Sequence, residues 1–300
     1  MLTLLKNNYN KFFYEPINII QNNEKNFLNF KPPPIEILRL LSAPMRLYFS
    51  PIYYGIDNIQ EGKSYLFVAN HTIHGVLDVP LYAIEIYRQK GIFIRGLADH
   101  FHYLVPLWRD FLNWIGSVRG TPENCKELMK AGESLLVFPG GGREVCKRKG
   151  EAYKLIWKNR TGFARLAIEN QYTIIPIASI GIDDAFSILL DRNDIMNSFI
   201  GSLINLSGIF KHPLLKKGEE IPAITRGIGL TPIPRPERIY VSIGKPIETK
   251  SFYDKKDDKD TLFALRTIVE DSIKKQLGEL LLKRYQDENM SLLRRFLNRL

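Results

Sequence analysis

The alternation of apolar and polar positions changes character near residue 51. Residues 1–30 are polar and aromatic without a clear period, and Lys31-Pro32-Pro33-Pro34 forms a hinge, because consecutive prolines cannot continue a helix. Ile37, Leu38, Leu40, Leu41, Met45, Leu47 and Tyr48 then recur at helical spacing with Arg39 and Arg46 among them, which fits either a core helix or one lying on lipid. From residue 51 onward, apolar runs that read as buried strands (64–69, 92–96, 134–138, 173–178 and 238–243) alternate with helical patterns at 79–88 and 162–169. A further helix opens at Thr121-Pro122-Glu123 with an N-cap and a first-turn proline, and Gly132 ends it.

Strands alternating with helices predict an α/β fold with a mixed, largely parallel sheet flanked by helices. Three regions are expected: a membrane-proximal helical segment (1–50), a catalytic domain (51–250) and a C-terminal basic amphipathic segment (251–300). In the last, Leu293, Phe296, Leu297 and Leu300 recur at helical spacing among Arg294, Arg295 and Arg299, a pattern suited to anionic lipid or to packing on the domain.

Composition narrows the partners. The 300 residues carry a net charge of +10, which favours nucleic acid, an anionic membrane surface or a phosphate-bearing ligand. Two cysteines, Cys125 and Cys146, are too few for a disulfide scaffold and do not match zinc-ligand spacing. The longest uncharged run, 195–210, is broken by Asn197, Asn205, Gly201 and Gly208, so no span and no signal peptide is expected. The chain reads as cytoplasmic and peripheral on a membrane, with 195–210 and the C-terminal helix as candidate lipid contacts.

Two constellations carry chemistry, each at the carboxyl end of an expected strand, where sites of such sheets lie. The first is Asn70-His71-Thr72-Ile73-His74-Gly75-Val76-Leu77-Asp78. A histidine with a carboxylate to fix its tautomer is a general base with its orienting partner. A strand-end histidine alone is more often structural, but two of the chain's five fall within four residues here. The second is Phe138-Pro139-Gly140-Gly141-Gly142-Arg143-Glu144. Its glycines allow main-chain N–H groups to converge on an oxyanion or phosphate, and Arg143 supplies a donor fork. The Gly-Lys-Ser/Thr ending of a P-loop is absent. Basic residues follow, including Lys149 and Lys154, and Arg119 precedes a helix N-terminus, where it suits an anion.

Together and in this order, Asn70-His71 to Asp78, Gly116 with Arg119, Phe138 to Arg143, and Ile174-Ile175-Pro176 resemble the four blocks of the lysophospholipid/glycerolipid acyltransferase superfamily, over roughly residues 50 to 250. The departures are informative. His71 and Asp78 are separated by six residues where the family has four, and Gly140 replaces the glutamate of the third block. With the Gly-Gly-Gly-Arg-Glu run, this resembles the monoacylglycerol/diacylglycerol acyltransferase-like branch, which includes plant phytyl ester synthases.

The resemblance implies O-acyl transfer from acyl-CoA or acyl carrier protein to a lipid hydroxyl. His71 would be the base, with His74 as the alternative, and Asp78 its partner. Gly140, Gly141 and Gly142 would form the oxyanion loop, and Arg143, Arg119, Lys149 and Lys154 would hold phosphate. No metal, cofactor or nucleic acid is implied. The acceptor stays open among diacylglycerol, monoacylglycerol, lysophospholipid, a long-chain alcohol and a quinol. A lipid hydrolase or thioesterase is the rival enzyme, although no Gly-x-Ser-x-Gly elbow is present. A non-catalytic lipid- or nucleic-acid-binding module is the rival without chemistry.

Overall fold

The computed structural model describes residues 24–199, 201–202, 219–288 and 291–299. The first 23 residues, Leu300 and positions 203–210 of the candidate lipid segment lie outside them.

In chain order the elements are α1 (Ile35–Phe49), β1 (Ile52–Tyr54), β2 (Tyr65–Ala69), α2 (Val79–Lys90), β3 (Ile94–Ala98), α3 (Pro106–Trp114), β4 (Val118–Arg119), α4 (Pro122–Lys130), β5 (Ser134–Val137), α5 (Gly141–Val145), α6 (Gly162–Glu169), β6 (Thr173–Ile180), β7 (Ser187–Leu190), α7 (Arg192–Asn197), β8 (Ile224–Arg226), β9 (Tyr240–Ile243), α8 (Lys259–Tyr285) and α9 (Leu292–Leu297). Seven strands form one sheet in the order β1-β9-β6-β2-β5-β3-β4, with β7 and β8 paired separately. Within the large sheet only β6 and β9 pair antiparallel. This is the mixed, largely parallel sheet that the periodicity predicts.

Two-residue alternation splits each central strand between two cores. Leu66 and Val68 of β2 face a cluster built with Cys125, Leu128 and Met129 of α4, Phe163 and Ile168 of α6, and the inner side of α8. Tyr65, Phe67 and Ala69 face the opposite cluster, with Leu81, Tyr82 and Ile86 of α2 and Phe49 of α1. Both faces are therefore covered, and this is why the strands read as unbroken apolar runs. Local signals hold where they were expected. The Thr121 hydroxyl accepts the main-chain N–H of Asn124 at 3.2 Å, capping α4.

The 27-residue helix α8 was not legible as a single element. Leu262, Leu265, Val269, Ile273, Leu277 and Leu280 form its buried seam and belong to the same core as the sheet. Residues 259–285 thus pack on the catalytic sheet rather than apart from it. At the other end, Arg95 of β3 is buried. It donates to the Gly116 carbonyl (2.6 Å) and the Phe27 carbonyl (3.1 Å), pairs with Glu133 at 3.2 Å and stacks over Phe30. That one guanidinium fastens residues 27–30 to the sheet.

Among the described residues no helix is long and apolar enough to cross a membrane. On α1, Leu40, Leu41 and Leu47 are exposed while Leu38 and Phe49 are buried, so one face packs and the other is apolar and open. On α9, Leu293 and Phe296 are exposed, whereas Arg294 donates to the Pro236 carbonyl (2.6 Å) and to Ser50 (2.8 Å), tying the helix to the domain.

Candidate active site

The site forms where β2, β5 and β6, parallel neighbours, release their chains at one edge of the sheet. Asn70, the residue that leaves β2, is buried and cross-links to β6. Its amide donates to the Ser179 carbonyl at 3.0 Å, and its oxygen accepts the Ser179 main-chain N–H at 2.8 Å. This pair fixes where the next residue, His71, emerges. The His71 ring stacks on Phe138 at 3.9 Å between centroids, which brings the first and second constellations into contact.

Within the described residues His71 Nδ1 is buried without a hydrogen-bond partner. Burial, with the positive charge of Lys147 and the neighbouring His102, pushes its pKa down to about 3, so the imidazole is neutral at physiological pH. The turn that follows is tight. His74 and Gly75 both take positive φ (62° and 66°), and a Cβ on Gly75 would overlap the His71 ring. Only glycine fits that position on both counts.

Among the described residues no hydrogen bond joins Asp78 to His71. Asp78 is buried and accepts the Thr72 hydroxyl at 2.9 Å, closing the loop from 72 to 78 on itself, and burial pushes its carboxyl up against the opposing Ser179 and Thr72 side chains. The six-residue gap leaves room for this closure. His74 faces elsewhere, with Nε2 lying 3.0 Å from Thr225 Oγ1 and its ring edge-on to Phe186.

The glycine run also differs from an open cradle. It begins a short helix, α5, and the Gly141 N–H is committed to the Phe138 carbonyl at 2.9 Å. Each glycine instead admits a side chain: a Cβ on Gly140 would overlap the Glu144 carboxyl, one on Gly141 would sit 2.9 Å from Arg160, and one on Gly142 would meet Glu220. Glu144 is fully buried. Its carboxyl faces the His71 main-chain N–H and the Trp157 indole without a close hydrogen bond to either, and burial, opposed by Lys147, pushes its pKa up to about 8.

Arg143 is buried and paired. It forms a two-pronged pair with Glu151 (2.6 and 3.0 Å) and donates to the Cys146 carbonyl at 3.2 Å. The same Glu151 accepts the Arg148 main-chain N–H at 2.8 Å. Arg143 therefore shapes the 147–151 turn instead of projecting toward a ligand. Lys149 is exposed and pairs with Asp194 at 2.8 Å, Lys154 is exposed, and Arg119 closes β4 on the far side of the sheet order.

Two residues that sequence reasoning missed organise the site. Asp183 follows β6 and accepts the main-chain N–H groups of Ile73 (2.7 Å) and Tyr153 (2.9 Å) while lying 3.4 Å from Lys147. It joins the three loops of the site in one carboxylate. Glu144 was visible only as the last letter of its motif. For Asp183 the available signal was an acidic pair directly after a buried strand.

Comparison with known proteins finds a family model, described as Acyltransferase, that matches residues 50–180. The matched segment holds both constellations, His71 and the glycine run among them. Over 255 residues it is 31% identical to phytyl ester synthase 1, chloroplastic, of Arabidopsis thaliana, which covers 80% of this chain and 36% of that protein. Over 135 residues it is 33% identical to the mouse DGAT1/2-independent enzyme synthesizing storage lipids, covering 44% of this chain and 40% of the relative. The chain thus spans well under half the length of these two relatives. Among solved structures, the 1-acyl-sn-glycerophosphate (LPA) acyltransferase PlsC of Thermotoga maritima aligns with a TM-score of 0.47 at 14% identity, over 93% of this chain and 98% of that one. The resemblance carried by the four motif blocks agrees with these matches, phytyl ester synthases among them.

Proposed function

We propose that this acyltransferase moves a fatty acyl group from a thioester, acyl-CoA or acyl carrier protein, to a lipid hydroxyl, with His71 as general base. The observation that carries the reading is the placement of His71 at the carboxyl end of β2, its ring stacked on Phe138 beside the Gly75 turn. His71 takes the acceptor hydroxyl's proton as the oxygen attacks the thioester carbonyl. The tetrahedral intermediate then expels the thiolate, which recovers that proton from the imidazolium, leaving an ester and a thiol. Asp78 acts at one remove: by holding Thr72 it sets the loop that carries His71 and His74.

Glu144 and the glycines keep the turn packed against the base. Main-chain N–H groups around Gly140 and Gly142 are the candidate oxyanion donors, because that of Gly141 is engaged. The phytyl ester synthase and storage-lipid relatives support a neutral lipid hydroxyl, such as an isoprenoid alcohol or diacylglycerol, as acceptor. The exposed leucines of α1 beside Arg39, with Leu293 and Phe296 of α9, support docking on a membrane surface where such acceptors reside.

The test incubates the purified chain with radiolabelled acyl-CoA and acyl carrier protein against diacylglycerol, monoacylglycerol, a long-chain alcohol and lysophosphatidate in vesicles. An ester of a neutral acceptor is the expected product. Release of free fatty acid alone, with no ester, would identify a hydrolase and overturn the reading.

A further inference from the structure

Beside the base, a pocket of about 230 Å³ is lined by Ile73, Lys147, Arg148, Lys149, Gly150, Ala152, Asp183, Phe186 and Ile188. Drug-sized ligands occupy pockets of roughly 300–1,000 Å³, so this one suits a headgroup and not a whole acyl thioester. Its walls are apolar at Ile73, Phe186 and Ile188, and its charged lining is three cations against one carboxylate.

Lys147 is the informative residue. It is 2% exposed, yet among the described residues its Nζ makes no hydrogen bond. Its nearest carboxylate, Asp183, lies 3.4 Å away and already accepts two main-chain N–H groups. An ammonium has three donors to satisfy, and leaving them unmet in a buried setting is unfavourable. The Arg148 Nε likewise makes no hydrogen bond among the described residues. The turn that presents both is held from beneath by the Arg143–Glu151 pair, so the cations are pre-placed. Lys149, paired with Asp194 at the rim, is the weaker contributor.

We propose that this pocket is an anion subsite for the phosphate of the donor's phosphopantetheine arm. The proposal rests on the thioester-donor reading above. That phosphate is shared by CoA and acyl carrier protein, and the apolar walls would strengthen its attraction to Lys147 and Arg148 by excluding water. The subsite adjoins Ile73, two residues from His71.

The test measures binding without turnover, by isothermal titration calorimetry on the full chain, with CoA, phosphopantetheine, pantetheine and glycerol 3-phosphate as probes. The variants are Lys147→Met, which keeps the buried stem, and Arg148→Ala, a half-buried site that leaves the core intact. Each variant is expected to bind phosphopantetheine about 10- to 100-fold more weakly, the loss of one charge-assisted hydrogen bond, and to bind pantetheine with little change. CoA tighter than phosphopantetheine in the wild type would support the subsite with CoA as donor, and equal binding would support it with the carrier protein as donor. Equal weakening for pantetheine and phosphopantetheine would overturn the proposal, as would a wild-type preference for glycerol 3-phosphate, which would place an acceptor there. Because no acceptor or product enters the measurement, an inactive enzyme in the transfer assay leaves this result standing.

Discussion

Glutamate 144 is a carboxyl group buried without a close hydrogen bond, and replacing it with glutamine should change how stability depends on pH. Its pKa is about 8 in the folded chain against an ordinary 4.5. The folded state therefore holds a proton that the unfolded state releases, and stability falls as pH rises through that interval. The contribution is fully present below about pH 4.5 and lost progressively up to about pH 8. At about 1.4 kcal/mol per pH unit, the folded wild type should lose at most roughly 3 kcal/mol from this group between about pH 5 and pH 7.5. Glu144→Gln keeps the shape and removes the titration. Urea unfolding of both proteins across that range is the assay. The stability difference between variant and wild type should grow in the variant's favour as pH rises. Parallel curves would show that Glu144 titrates normally and would refute the argument that its burial is uncompensated.

Arg143→Ala should destabilise the fold by about 3 kcal/mol in urea unfolding, because it strands Glu151 and loosens the turn beneath the pocket. Phosphate-dependent kinetics should follow that loss of stability rather than a direct contact. Gly75→Ala should abolish acyl transfer while the far-ultraviolet circular dichroism is retained, since the new Cβ meets the His71 ring at a positive φ; activity equal to wild type would show that the ring has another place to go.

The elements legible in the sequence were those whose physics is local. Strands buried on both faces read as apolar runs, and Thr121-Pro122 announced a capped helix. The two constellations marked strand ends because a parallel sheet gathers those ends at one edge. What stayed hidden depends on partners far along the chain. Asp183 meets Ile73 across 110 positions, and nothing in the motif reveals it. Arg143 carries the donor fork of a phosphate ligand, and only the fold shows Glu151 already filling it. The family resemblance pairs Asp78 with His71 despite the longer spacing, whereas its hydroxyl partner, Thr72, lies within the same loop. In α8 a narrow seam of leucines runs between charged flanks, so its helical period is diluted over 27 residues.

The most direct test of the central claim is the single-turnover rate of acyl transfer for wild type, His71→Ala and His74→Ala, each shown to be folded. The account predicts that His71→Ala loses about 100- to 10,000-fold, the range of general-base catalysis, while His74→Ala retains most of the rate. Full transfer by folded His71→Ala, or a selective loss in His74→Ala, would contradict it and give the proton to another group.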